Sequence, residues 1–225
     1  MVISTEFLVF VLILGAALIY CQITMQMKWY GCALWKSLPV TVIVILTGLF
    51  GSQLWFFIEN GYFEGRSLYG AVFLCPIVFY LVAKLLKESY GEIMDFIAPA
   101  GCFVLGLAKI QCMRDACCEG RILYMNEDRI WVRFPSQIVE FIVFTIIAIS
   151  LFLLSRRPAH RRKIYPLAMV IYGIARFFLD FFRDTEASFL LGLSKGSFWS
   201  LCSFVIGVAA LVIIHLGKKK TQFNN

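Results

Sequence analysis

Arg176, Asp180 and Arg183 fall at i, i+4 and i+7 of one largely apolar stretch, a spacing that sets all three on one helical face. Lys109 sits inside a second such stretch, and Glu140, preceded by Ser136 and Gln137, opens a third. Ser67 and Tyr69 open a fourth and Glu59 closes a fifth. An ionisable group at membrane depth is expensive, so it is read first as functional. Two fixed cations suit a phosphate group: Arg176 offers a bidentate fork and Lys109 a point charge. A plainer arrangement stays open, in which Arg176 and Asp180 form a structural ion pair that ties helices together. Asp95, Lys84 and Glu92 lie at stretch ends, where anchoring at the interface accounts for them.

The elements that position these residues follow from composition. The chain has 225 residues, 60% hydrophobic and 16% charged, and its 22 phenylalanines outnumber its 14 acidic residues. That excludes an ordinary soluble enzyme and a disordered chain, and marks an integral membrane protein. A helix needs about 20 apolar residues to cross the hydrocarbon layer. Seven stretches qualify: near Glu6 to Thr24, Leu38 to Ile58, Ser67 to Leu86, Glu92 to Met113, Gln137 to Ser155, Ile164 to Phe182 and Ser197 to Leu216. The first has no basic region before it and no cleavage site after it, so it reads as a span rather than a removable signal. The expectation is an all-α integral membrane protein, a seven-transmembrane-helix bundle forming a single polytopic domain over residues 1–225.

Loop charges set the orientation. Lys28 and Lys36, Lys84 and Lys87, the run Arg156 to Lys163, and Lys218 to Lys220 lie on one side, while the opposite loops mix signs. Basic excess marks the cytoplasm, which puts the amino terminus outside and the carboxyl terminus inside. The net charge of +7 is then topology and contact with membrane lipid, not nucleic-acid binding. At 1.5 Å per residue, Lys109 lies about 21 Å beyond Asp95 and Arg176 about 18 Å beyond Ile164, both in the outer half of the bilayer. Five helices thus bring polar groups to one level and predict a polar cavity facing the outer leaflet. Polar residues gathered at one end, with an odd helix count, speak against a channel or a transporter built of paired repeats. The longest segment between spans, residues 114–135, is external, and Arg129 to Phe134 alternates as a short strand or interfacial segment would. Of eight cysteines only Cys112, Cys117 and Cys118 cluster; without a second ligand pair at finger-like spacing, packing is the expected role and no metal is expected.

Three stretches carry a resemblance. Ala108 to Gly120, with Cys112, Cys117, Cys118 and Gly120 in register, is similar to one branch of the signature of the prolipoprotein diacylglyceryl transferase family, G-R-x-G-C-F-x-x-G-C-C-x-G. Pro135-Ser136-Gln137-Ile138-Val139-Glu140 resembles that family's P-[ST]-Q-L-Y-E, and Tyr172 to Arg183 its Y-G-x-x-R-F-x-x-E-F-x-R. Gly65 to Gly70 and Gly192-Leu193-Ser194 are weaker echoes. The chain departs from the signature at Lys109, where the family has arginine, and at Ala108, Gln111, Met113 and Ala116; Tyr69 stands where many members have histidine, and Val139 where they have tyrosine.

The resemblance implies an enzyme of the bacterial plasma (inner) membrane that needs no cofactor. It would move a diacylglyceryl group from phosphatidylglycerol to the lipobox cysteine of a prolipoprotein signal peptide. On that reading Arg176 and Lys109 hold the phosphate, with Arg183 or Arg121 near the entrance. Glu140 and Asp180 orient the cations or accept a proton, and Tyr69 relays one. Gln137, Ser136 and Gly120 complete the substrate site. The substitutions at Lys109, Gln111 and Tyr69 leave a second reading open, a degenerate member that binds anionic phospholipid or signal peptide without turnover.

Overall fold

A computed structural model describes residues 4–63, 67–125, 131–184, 189–190 and 192–223. Gly65, Arg66, Arg129 and Ile130, which belong to motifs noted above, lie outside them. Among the described residues seven α-helices follow in chain order: α1 (Thr5–Tyr30), α2 (Ser37–Asn60), α3 (Leu68–Leu86), α4 (Tyr90–Arg114), α5 (Ser136–Ser155), α6 (Ile164–Asp180) and α7 (Lys195–Phe223). Between α4 and α5 two short strands, β1 (Ile122–Met125) and β2 (Trp131–Arg133), pair antiparallel. All helices but α6 are long and apolar enough to cross a membrane. The expected stretches reappear with shifted ends. The α1 helix runs to Tyr30 because its late polar residues are satisfied: Gln22 donates to the Phe96 carbonyl at 3.1 Å and Gln26 to Ser155 Oγ at 2.8 Å.

The chain forms two compact units. In the unit of Val9–Leu105 and Ala148–Tyr165, Ile23, Met27, Val40, Phe79, Ile93 and Phe96 make an apolar core. Helices α2 and α3 meet at Gly51 and Gly70, where a β-carbon on Gly70 would collide with the Gly51 carbonyl. Small residues of this kind let membrane helices approach closely. Pro76 inside α3 has no N–H for the carbonyl of Val72, one turn back, and the Tyr165 hydroxyl donates to that carbonyl at 2.6 Å. Asp95 is more than an interfacial anchor. Wholly buried, it accepts from the Tyr30 hydroxyl at 3.0 Å, from the Ile164 backbone at 2.9 Å and from the Arg162 backbone, which pins the start of α6 to α4.

The other unit comprises Met1–Leu8, Gly106–Ile147 and Pro166–Asn225. Here α6 and α7 pack through small residues. A β-carbon on Gly173 would lie 2.7 Å from the Ser200 carbonyl, and Ser203 donates to the Met169 carbonyl at 3.1 Å. The α6 helix is the most one-sided of the seven in its distribution of apolar residues, so one face stays available for charge.

Candidate active site

The charged face of α6 meets α4, α5 and the start of α7 within this second unit. Lys109 Nζ lies 2.7 Å from Glu140 Oε2, and Arg176 Nη1 donates to Glu140 Oε1 at 3.1 Å. Arg176 Nη2 lies 3.2 Å from Asp180 Oδ1. Arg183 stands farther off, its Nε 3.7 Å from Glu140 Oε1 and its Nη1 3.9 Å from Asp180 Oδ1. Lys109, Glu140, Arg176 and Asp180 are each at most 4% exposed, whereas the Arg183 side chain is 13% exposed. Three cations face two carboxylates, which leaves one positive charge in a buried cluster. Burying charge is tolerable only where partners are close and hydrogen bonded, and an excess cation favours an anionic ligand.

Two residues absent from the expected site complete Asp180. Ser197 Oγ donates to its Oδ2 at 2.8 Å, and Ser194 Oγ donates to the same oxygen. Ser194 also caps α7, accepting from the Ser197 backbone N–H at 3.0 Å. Between them Gly196 comes so near that a β-carbon there would lie 2.6 Å from Asp180 Oδ1. A serine just before a long apolar run is a helix-start signal that could have been read in the sequence. Its contact with Asp180 is tertiary and could not.

A tightly folded segment adjoins the cluster. Gly120 pairs with Arg183 as an antiparallel bridge, the Arg121 N–H donates to the Phe182 carbonyl at 3.0 Å, and the Phe134 N–H donates to the Arg121 carbonyl at 2.9 Å. Gly120 has to be glycine, because a β-carbon would run into the Phe134 carbonyl. The exposed Arg121 donates through Nε to the Arg183 carbonyl at 3.3 Å. Arg133 ties the segment from outside, to Glu119 at 3.2 Å and Asp184 at 2.9 Å. Ser136 Oγ donates to the Cys118 carbonyl at 2.8 Å and Gln137 Nε2 to the Cys117 carbonyl at 2.9 Å, so both side chains hold this loop. The Cys118 thiol is held below the ordinary thiol range, first by a hydrogen bond from the Cys112 thiol and then by Arg183 and Lys109.

Nine of the ten expected residues therefore share one unit: Lys109, Gly120, Arg121, Ser136, Gln137, Glu140, Arg176, Asp180 and Arg183. Tyr69 belongs to the other unit, where it is buried on α3 beside Phe73.

Residues 3–213 match the family described as prolipoprotein diacylglyceryl transferase. Proteins named phosphatidylglycerol–prolipoprotein diacylglyceryl transferase are among the relatives. The one from Methylobacillus flagellatus is 29% identical over 82% of this chain and 81% of its own length. The Nitrosomonas europaea protein is 29% identical, covering 75% of this chain and 68% of its own length. The Clostridium tetani protein is 26% identical over 64% of this chain, which spans 62% of that relative's length. With a family match over nearly its whole length and a cation cluster built from the three stretches that carry the family's motifs, this chain belongs to the prolipoprotein diacylglyceryl transferase family.

Proposed function

We propose that this protein transfers the diacylglyceryl group of phosphatidylglycerol to the lipobox cysteine thiol of a prolipoprotein. The observation that carries the reading is the buried cluster of three cations against two carboxylates. In the reaction a C–S bond forms at the glyceryl carbon and the C–O bond to phosphate breaks. The singly charged phosphodiester becomes a doubly charged glycerol phosphate as it leaves, and the thiol proton passes to a base. Cations already in place where that charge develops stabilise the transition state without reorganising. Arg183, the least tightly held and most exposed of the three, meets the phosphate first. Arg176 and Lys109 stand behind it, positioned by Glu140 and Asp180.

Lys109 keeps the positive charge of the signature arginine in the cluster, reaching Glu140 at 2.7 Å. The proposed setting is the bacterial inner membrane, crossed seven times with the amino terminus outside and the cluster facing the outer leaflet. The test is mass spectrometry of a lipobox peptide incubated with the purified protein and phosphatidylglycerol vesicles. The expected result is a mass gain of one diacylglyceryl group, abolished by Arg176→Ala and reduced at least tenfold by Arg183→Ala. An unmodified peptide, with folded protein that binds the vesicles, overturns the transferase reading and leaves a lipid-binding protein.

A further inference from the structure

Cys112 lies near the end of α4, and Cys117 and Cys118 follow a turn that folds back on it, with the Cys117 N–H donating to the Cys112 carbonyl at 3.1 Å. The three thiol sulfurs all lie within 4.8 Å of one another. The turn that gathers them is strained and held from outside. Ala116 and Cys118 have positive φ, 47° and 61°, which residues with side chains seldom adopt. Ser136 and Gln137 fasten the carbonyls of Cys118 and Cys117 at 2.8 and 2.9 Å. Apolar packing does not require this: Cys117 is exposed, and thiols that serve only as small hydrophobes go inward. Such strain persists where the surrounding structure over-determines it, and it concentrates at functional sites.

We propose that Cys112, Cys117 and Cys118 form a three-thiolate site for a thiophilic d10 cation of the zinc class, with a fourth position open to solvent. Tetrahedral zinc with Zn–S of about 2.3 Å holds its sulfurs about 3.8 Å apart, so each pair closes by at most about 1 Å from its present limit. Thiolate is the softest ligand type available to a protein and selects such ions over magnesium or calcium. Three thiols lose three protons on binding, and the resulting zinc tris-thiolate carries one negative charge. Lys109 lies three residues before Cys112 on α4, and Gly120, two residues after Cys118, pairs with Arg183; the cluster that Lys109 and Arg183 belong to has one positive charge in excess. The two charges offset one another. The ligands come from one short segment rather than from two separated pairs, which is why spacing alone did not suggest a site.

The proposal stands apart from the transferase reading, and its test does not use activity. Full-length protein, reduced and stripped with a chelator, is titrated with Co2+ and then Zn2+. The expected result is one equivalent of Co2+ with thiolate-to-cobalt charge-transfer bands, displaced by Zn2+. The bands vanish in Cys118→Ser and in Cys117→Ser, the latter removing an exposed side chain that the fold does not need, and persist in Cys21→Ser. Alkylation with mass readout then finds these three thiols protected by Zn2+. Folded protein that shows no thiolate bands, with all three thiols open to alkylation in excess Zn2+, overturns the proposal. So does freshly purified protein lighter by two hydrogens through a disulfide among the three.

Discussion

Glu140 gives one carboxylate oxygen to Lys109 and the other to Arg176, so removing its charge strands two buried cations at once. Glu140→Gln is expected to cost about 3–5 kcal/mol, the range for breaking a buried ion pair from one side. Thermal unfolding in detergent checks this, and a cost below about 1 kcal/mol would mean that the cluster is hydrated. Lys109 makes the complementary case. Lys109→Arg keeps the charge toward Glu140 and is expected to hold transfer activity within tenfold, whereas Lys109→Met is expected to lose it at least a hundredfold. The peptide mass assay separates the two. Arg176 and Asp180 were legible because helical periodicity alone places them together; Arg183, expected on the same helical face, lies past the end of α6, where a turn with its N–H on the Asp180 carbonyl keeps it beside Asp180. That Glu140 is the shared partner of three cations was not, since α4, α5 and α6 meet only in the fold. The sequence also left open whether Arg176 and Asp180 form an ion pair or a ligand site; the geometry contains the ion pair within the larger cluster.

At the scale of elements, the start of α7 is both a cap and a wall of the cluster. Ser194→Ala removes the cap, worth about 1 kcal/mol, and one of the donors to Asp180. The expected result is a modest fall in unfolding temperature with a larger fall in transfer, at least tenfold, because Asp180 then turns from Arg176. Equal losses in both would reduce Ser194 to a cap. In the other unit, Tyr165→Phe leaves the Val72 carbonyl without the hydroxyl that replaces the missing Pro76 N–H. An unsatisfied buried acceptor costs about 1–3 kcal/mol, and chemical unfolding of the purified variant measures it. Helix starts were legible from apolar run lengths to within a few residues, but two helices run on past their apolar stretches: α1 to Tyr30, where Gln26 is satisfied by Ser155, and α7 past Leu216 to Phe223. The strand pair was half legible: the alternation around Trp131 marked β2, while β1, whose Ile122 to Met125 are all exposed and do not alternate, gave no such signal.

For the whole molecule, the number of crossings turns on α6. Among the described residues six helices are long and apolar enough to span, and α6, at 17 residues, reaches about 26 Å, just short of the hydrocarbon thickness of about 30 Å. Its charged face ends in Arg176 and Asp180, both buried against protein rather than lipid, which removes the main cost of carrying them at depth. The flanking segments also differ in kind. Arg156, Arg157, Arg161, Arg162 and Lys163 precede it, whereas Arg183 and Asp184 follow it, a charge difference that favours opposite sides. We therefore expect α6 to cross, which makes the count odd and puts the two termini on opposite faces of the membrane. A fluorescent protein that matures only in the cytoplasm should fluoresce when fused after Asn225 and stay dark when exported ahead of Met1, with alkaline phosphatase giving the reverse. Termini on the same side would make the number of crossings even and overturn the reading of α6 as a seventh span.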